Sequence, residues 1–209
     1  STGTYAGEDV PFGDNSEKYP LGYSYLKDVE WDRKPAQSFT LDWKTQAGYR
    51  GTKDTDDIHM KLHVAADLTD VALADGVPPQ NKEGNPEKIR YALMRRTGDT
   101  NKLKSTFVNV AEPYKDKSFI KRIQRLEMPE AFAPDAVAVR IEIEGGVVDY
   151  VISNPSRKLI KISDGPETDG VYAWVRTVDG KVTSASLTRG TTLKMGDTNV
   201  TGAGNIAGE

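Results

Sequence analysis

Any imidazole-dependent catalysis or metal binding in this chain must use His59 or His63, the only two histidines it has. Both lie in the run IHMKLHV, where Ile58, Met60, Leu62 and Val64 alternate with His59, Lys61 and His63, the period of a strand. On a strand, residues four apart share a face but lie ~13 Å apart at ~3.3 Å per residue, too far for two ligands on one ion with bonds of ~2.1 Å. The spacing therefore predicts solvent-facing or hydrogen-bonded structural histidines. The absence of cysteine excludes disulfides, thiol chemistry and thiolate zinc sites. The acidic clusters Asp54-Thr55-Asp56-Asp57 and Asp14-Asn15-Ser16-Glu17 offer hard oxygen ligands for a structural calcium ion. Neither follows the D-x-D-x-D-G spacing, and a solvated acidic turn is the commoner use of such residues, so no metal is assigned.

Aromatic and cationic side chains offer more. Flat sugar faces stack on aromatic rings, while hydroxyls and uronate carboxylates suit planar, multi-donor partners such as arginine. Tyr172, Trp174 and Arg176 alternate with Val171, Ala173 and Val175, so the three share one face of one strand. With Val171 and Val175 turned to the core, that face presents two rings and a cation to a ligand; the opposite arrangement buries the rings and exposes small residues. A second candidate is Trp31 with Asp32, Arg33 and Lys34 just before Pro35, a tryptophan beside two cations where ligand contacts gather at strand ends. The competing reading is a solvated turn with Trp31 packed inside. Trp43, in the row Phe39, Leu41, Trp43, reads as core. The run KSFIKRIQR carries Lys117, Lys121, Arg122 and Arg125 and is the most basic segment; it suits a solvated edge strand, and an acidic polysaccharide could use the same charges. Tyr91, Tyr114 and Tyr150 have hydroxyls that could move protons, but tyrosines in a β protein mostly pack across strands.

The elements that position these residues are strands. Val137, Val139, Ile141 and Ile143 alternate with Ala138, Arg140 and Glu142, a half-buried strand, and Gly145-Gly146 turns it into Val147–Ile152. Asp179-Gly180 makes a second hairpin between VYAWVRTV and KVTSASLT. Further strands are expected at 23–29, 36–44, 71–75, 88–96, 103–111, 118–126 and 158–163. The one helical candidate, Pro129 to Phe132 closed by Pro134, has room for a single turn. The expected fold is an all-β antiparallel sandwich, jelly-roll-like or of two sheets, with little or no helix. Its domain plan is an irregular lead-in over 1–20, a single domain over 21–195 and a tail over 196–209, both ends reading as linkers or edge segments.

A net charge of -3, from 28 basic and 31 acidic residues, argues against nucleic acid or anionic membrane as partner. No apolar run approaches the ~20 residues of a membrane helix. The chain opens Ser1-Thr2-Gly3 without a signal peptide, which reads as a processed or excised piece.

Between Asp75 and Tyr114 the chain reads DGVPPQ, then EKIRYALMRRTG, then LKSTFVNVAEPY. A turn with Pro78 and Pro79, a strand ending Tyr91-Ala92-Leu93-Met94-Arg95-Arg96 and one ending Glu112-Pro113-Tyr114, preceded by Gly22-Tyr23-Ser24-Tyr25-Leu26-Lys27-Asp28-Val29 and Asp42-Trp43, resemble the C-terminal β-rich region of heparinase II/III-like polysaccharide lyases. The resemblance covers about residues 20 to 165. It implies a secreted, bacterial, carbohydrate-acting parent enzyme in an extracellular or periplasmic setting, with this chain as an accessory part. In that family a toroid of helices supplies much of the catalytic machinery, with further residues from the central sheet. This chain has no such toroid, so carbohydrate binding, or a purely structural lobe, is expected ahead of lyase activity. The ligand residues expected are Tyr172, Trp174, Arg176, Trp31, Arg33 and Lys34, with an acidic polysaccharide and other domains of the parent enzyme as partners; the first three lie beyond the stretch that resembles the family and rest on residue chemistry alone.

Overall fold

The computed structural model describes residues 3–19, 22–45, 51, 53, 55–78, 82–83, 85–132, 135–201 and 204–206. Among them the chain forms sixteen strands and no α-helix: β1 (Leu26–Asp32), β2 (Ser38–Lys44), β3 (Ile58–Ala65), β4 (Asp70–Gly76), β5 (Ile89–Arg95), β6 (Asn109–Lys115), β7 (Ile120–Arg125), β8 (Val137–Ile143), β9 (Val147–Ser153), β10 (Ile160–Lys161), β11 (Glu167–Thr168), β12 (Tyr172–Val178), β13 (Lys181–Thr188), β14 (Thr192–Met195), β15 (Thr198–Thr201) and β16 (Gly204–Ile206). They pair antiparallel in four open sheets, ordered β1-β4-β5, β2-β3-β6, β10-β11-β14-β15 and β16-β13-β12-β9-β8-β7. The fold is all-β, as the period-two pattern predicts. No helix among the described residues is long and apolar enough to cross a membrane.

By contacts the chain divides into two compact units, Ser1–Ala36 with Asp67–Leu103, and Gln37–Ala66 with Lys104–Glu209, where the sequence suggests one domain over 21–195. Strand periodicity cannot report this division, because β2 and β3 lie between β1 and β4 in the chain yet form a sheet with β6 through β3.

The first unit holds the β1-β4-β5 sheet. Tyr23–Tyr25 is a 3-10 turn entered from Gly22 at φ 91°, so β1 starts at Leu26, three residues after the expected strand. Asp70 and Asp75, both buried on β4, are answered from the β5 side. Arg95 reaches Asp70 at 2.5 Å, while Arg90 and Lys88 reach Asp75 at 2.9 and 2.5 Å. The lead-in is attached rather than loose: the Tyr5 N–H donates to Leu26 O at 2.8 Å, Thr4 bridges to Lys27, and Val10 is buried.

The second unit contains a β-sandwich. Two hairpins sit where the glycines predict them. Asp179 and Gly180 turn β12 into β13 at φ 49° and 79°, and Gly145 and Gly146 turn β8 into β9 at φ 75° and 73°. One face of the six-stranded sheet, carrying Ala138, Tyr150, Ile152, Ala173, Val175 and Leu187, packs on Ile160, Leu193 and Val200 of the four-stranded sheet. On the opposite face Ile123, Val139 and Ile141 pack with Ala65 and Val108. Strand β8 is therefore covered on both faces, where the sequence suggests one; alanine at 138 fills little space and is 1% exposed.

Other differences are local. β6 runs over 109–115 rather than 103–111, and tolerates Pro113 because it is an edge strand. β10 shrinks to two residues. β15 and β16 fall in the expected tail and form sheet edges. Trp43 is half-buried on β2 rather than core. Pro129 to Phe132 makes one hydrogen-bonded turn, and Pro79 and Pro134 lie outside the described residues.

Two neighbouring positions on β9 test this layering. In urea unfolding of the whole chain, Ile152→Ala should cost about 2–5 kcal/mol by leaving a cavity. Val151→Ala, one residue along on the opposite face, should cost about 0.5 kcal/mol or less. Equal losses would contradict the assignment of faces.

Candidate functional site

Strand β12 is locked along its length between β9 and β13, so its side-chain alternation is fixed. Ala173, Val175 and Thr177 point inward and are buried, which leaves Tyr172, Trp174 and Arg176 on the opposite face. The rings thus face away from the sandwich core, the first of the two arrangements the sequence allows. Tyr172 is 58% exposed and Trp174 half-buried. Their cross-strand neighbours are small: Ser186 and Val151 oppose Trp174, and Thr188 and Ser153 oppose Tyr172. Val151 is itself 41% exposed, so β9 and β12 present a continuous open strip.

Arg176 is held by Asp149 in a two-pronged pair, Nε to Oδ1 at 2.8 Å and Nη2 to Oδ2 at 2.7 Å. This fixes the guanidinium 5.5 Å from the Trp174 ring centroid. Among the described residues Asp149 takes two of the five N–H donors of Arg176. The sequence pattern does not announce Asp149; the signal that finds it is register, since Asp149 pairs directly across from Arg176.

Trp31, Arg33 and Lys34 belong to the first unit. Trp31 is half-buried on β1 and stacks on Tyr5, with centroids 5.0 Å apart and planes inclined by 15°. The Arg33 guanidinium sits 3.8 Å from the indole centroid and that of Arg95 5.7 Å away. Tyr23 meets Tyr5 edge-on at 4.8 Å. Trp31 is therefore already engaged by its own chain, with partners from the lead-in and β5 that no local pattern reveals. Lys34 is exposed, and its backbone N–H donates to Asp32 Oδ1 at 2.9 Å, closing the turn.

The histidines sit on β3 of the second unit, each hydrogen-bonded, one of the two outcomes their spacing predicts. His59 donates from Nδ1 to Asp42 at 2.9 Å and from Nε2 to Asp57 at 3.2 Å, an arrangement only the imidazolium satisfies with two N–H donors. The Asp42 bond raises its pKa above 6.5. Tyr114 stacks on His59 at 4.9 Å and donates its hydroxyl to Asp42 at 2.6 Å, and that bond pushes the phenol up to about 12. The same carboxylate thus favours the protonated form of both groups.

His63 is buried, with Nε2 2.6 Å from Glu112. Glu112 has no exposed surface and also accepts from Ser118 Oγ at 2.9 Å and from the backbone N–H groups of Phe119 and Ile120 at 2.5 and 2.9 Å. Burial alone would raise the Glu112 pKa, but the bonds from His63, Ile120, Phe119 and Ser118 outweigh it and hold the carboxyl below its ordinary value. Asp57 is turned to Lys44 as well as His59, and Asp56 accepts from the Lys53 N–H. Asp14 accepts from the Ser16 N–H, while Asp54 lies outside the described residues. Among the described residues no three His, Asp or Glu side chains gather as metal ligands.

No protein-family model, curated protein or solved structure matches the chain.

Glu112 carries a pH dependence of definite sign. Its folded pKa lies below 4.5, so its contribution is complete above pH 4.5 and is lost as pH falls through the lower folded value. Glu112→Gln should cost about 3–5 kcal/mol at neutral pH, as expected when one partner of a buried pair is removed, and should flatten the acid limb of stability against pH. Urea unfolding across the acid range measures both; an acid limb identical to that of the unmodified chain would contradict the assignment.

Proposed function

We propose that this chain is a glycan-binding accessory β-module of a secreted polysaccharide-degrading enzyme, of the kind its resemblance to the C-terminal region of heparinase II/III-like lyases implies. Its ligand on this reading is an acidic polysaccharide met in an extracellular or periplasmic setting. The observation that carries the proposal is the outward pair Tyr172 and Trp174 beside the fixed guanidinium of Arg176. Rings flanked by small side chains leave room for a sugar face, and a preset arginine meets a carboxylate or hydroxyl without losing further rotamer freedom. The module on this reading binds and does not cleave: His59 and Tyr114 are both committed to Asp42 by hydrogen bonds.

A second reading, a structural lobe that packs on another domain of the same enzyme, draws on Ile89 and Tyr91, which share a face of the edge strand β5 and are 45% and 44% exposed.

Affinity gels containing acidic or neutral polysaccharides test the two, with ultraviolet absorbance for unsaturated product read on the same mixtures. The proposal predicts retardation in an acidic gel, no new absorbance, and a loss of affinity of about tenfold or more in Trp174→Ala, the scale of a truncated aromatic hot spot. Trp31→Ala should retain binding, because that ring is already stacked on Tyr5. Absence of retardation with every glycan would favour the structural lobe, and new absorbance would overturn both readings.

A further inference from the structure

The second unit also contains a pocket of about 340 Å³ between β2, β3 and the edge strand β7, lined among others by Ser38, Thr40, Lys61, His63, Lys121 and Arg122. That volume is at the small end of ligand pockets and suits one sugar ring. Its charge is uneven. Lys61 lies 3.5 Å from Asp42, and His63 is answered by Glu112. Lys121 and Arg122, both exposed on β7, have no carboxylate within 4.0 Å among the described residues, whereas Lys61 and His63 in the same pocket do. Glu142 lies opposite Arg122 in the β7–β8 ladder but is bonded to Arg140, and Glu144 is bonded to Lys117 with the Lys121 charge beyond contact, so the pocket carries two cations with no counter-charge within 4.0 Å among the described residues.

The backbone contributes to this arrangement. Strand β7 shifts register against β8 between Ile120 and Arg122, so Lys121 is the extra residue of a bulge, a device that re-aims a side chain at a sheet edge. The start of the same strand is tied down by Glu112, which takes the N–H groups of Phe119 and Ile120. The basic pair is thus mounted directly after an anchored segment. Ser38 and Thr40 add hydroxyls from β2.

We propose that this pocket holds one oxyanion, a carboxylate or a sulfate, carried on a single sugar unit. The oxyanion follows from the unpaired cations and the hydroxyls; the sugar as carrier rests on the glycan reading above. A carboxylate or sulfate in the pocket would accept charge-assisted hydrogen bonds from Lys121 and Arg122.

Backbone amide NMR of the whole chain, titrated with D-glucuronate, glucose 6-sulfate, glucose and inorganic sulfate, tests the site. Expected are saturable shifts of residues 38–40 and 120–123 with glucuronate or with glucose 6-sulfate, the better of the two identifying the anion, and none with glucose. Lys121→Ala combined with Arg122→Ala should weaken the binding about tenfold or more, the effect of losing charge-assisted bonds at two exposed positions that the fold does not need. Trp174→Ala should leave these shifts unchanged, so a failure here is distinct from a failure of the aromatic strip. No saturable shift with either sugar anion, or undiminished binding in the double variant, overturns the site. Inorganic sulfate binding as tightly as the sugar anions overturns the sugar-borne ligand.

Discussion

A carboxylate without exposed surface must find donors inside the protein or make the fold unstable, and Glu112 finds four: His63 Nε2, Ser118 Oγ and the N–H groups of Phe119 and Ile120. These donors come from β3 and from the segment that leads into β7, so one side chain ties the β2-β3-β6 sheet to the edge of the six-stranded sheet. The apolar contacts of Ala65 and Val108 with Ile123, Val139 and Ile141 surround the same junction. Apolar burial supplies non-directional attraction, and the buried carboxylate adds direction by requiring particular donors at particular places. Strand β7 is thereby positioned, and the registers of β8, β9 and β12 follow from it through continuous antiparallel ladders.

That chain of registers divides the labour of the six-stranded sheet. Where β8 lies against the apolar residues around β3 and β6, it spends both faces on packing. Two strands further on, at β12, the inward row of Ala173 and Val175 alone carries the packing, and the outward row is released for other uses. Small serines and threonines on β13 keep that outward row uncrowded. Asp149 then converts Arg176 from a mobile cation into a fixed one, so the strip combines hydrophobic area with a donor of set orientation.

Much of this is legible in the sequence because it is local. Period-two alternation marks the strands, and Gly145-Gly146 and Asp179-Gly180 mark the two hairpins, while the alternation over 171–176 puts Tyr172, Trp174 and Arg176 on one face and leaves open whether that face turns inward or outward. What escapes is non-local. The division into two units depends on β3 pairing with β6 across about forty residues, a choice the alternation of each strand leaves open. The stack of Trp31 on Tyr5 joins a strand to a lead-in whose glycines and prolines read as irregular. Glu112 reads as one polar residue in an alternating run, and its burial becomes visible only when Phe119 and Ile120 are brought to it. The bulge at Lys121 likewise exists only relative to β8.

The three tryptophans allow the central claim to be read from one spectrum, since each indole N–H gives its own resonance and they report the β1 cluster, the β2 row and the open strip on β12. Titration of the chain with acidic oligosaccharides should move the Trp174 indole signal in a saturable manner and leave those of Trp31 and Trp43 in place. A Trp174 signal that stays fixed while glycan binds, with Trp31 or Trp43 moving instead, would contradict the account.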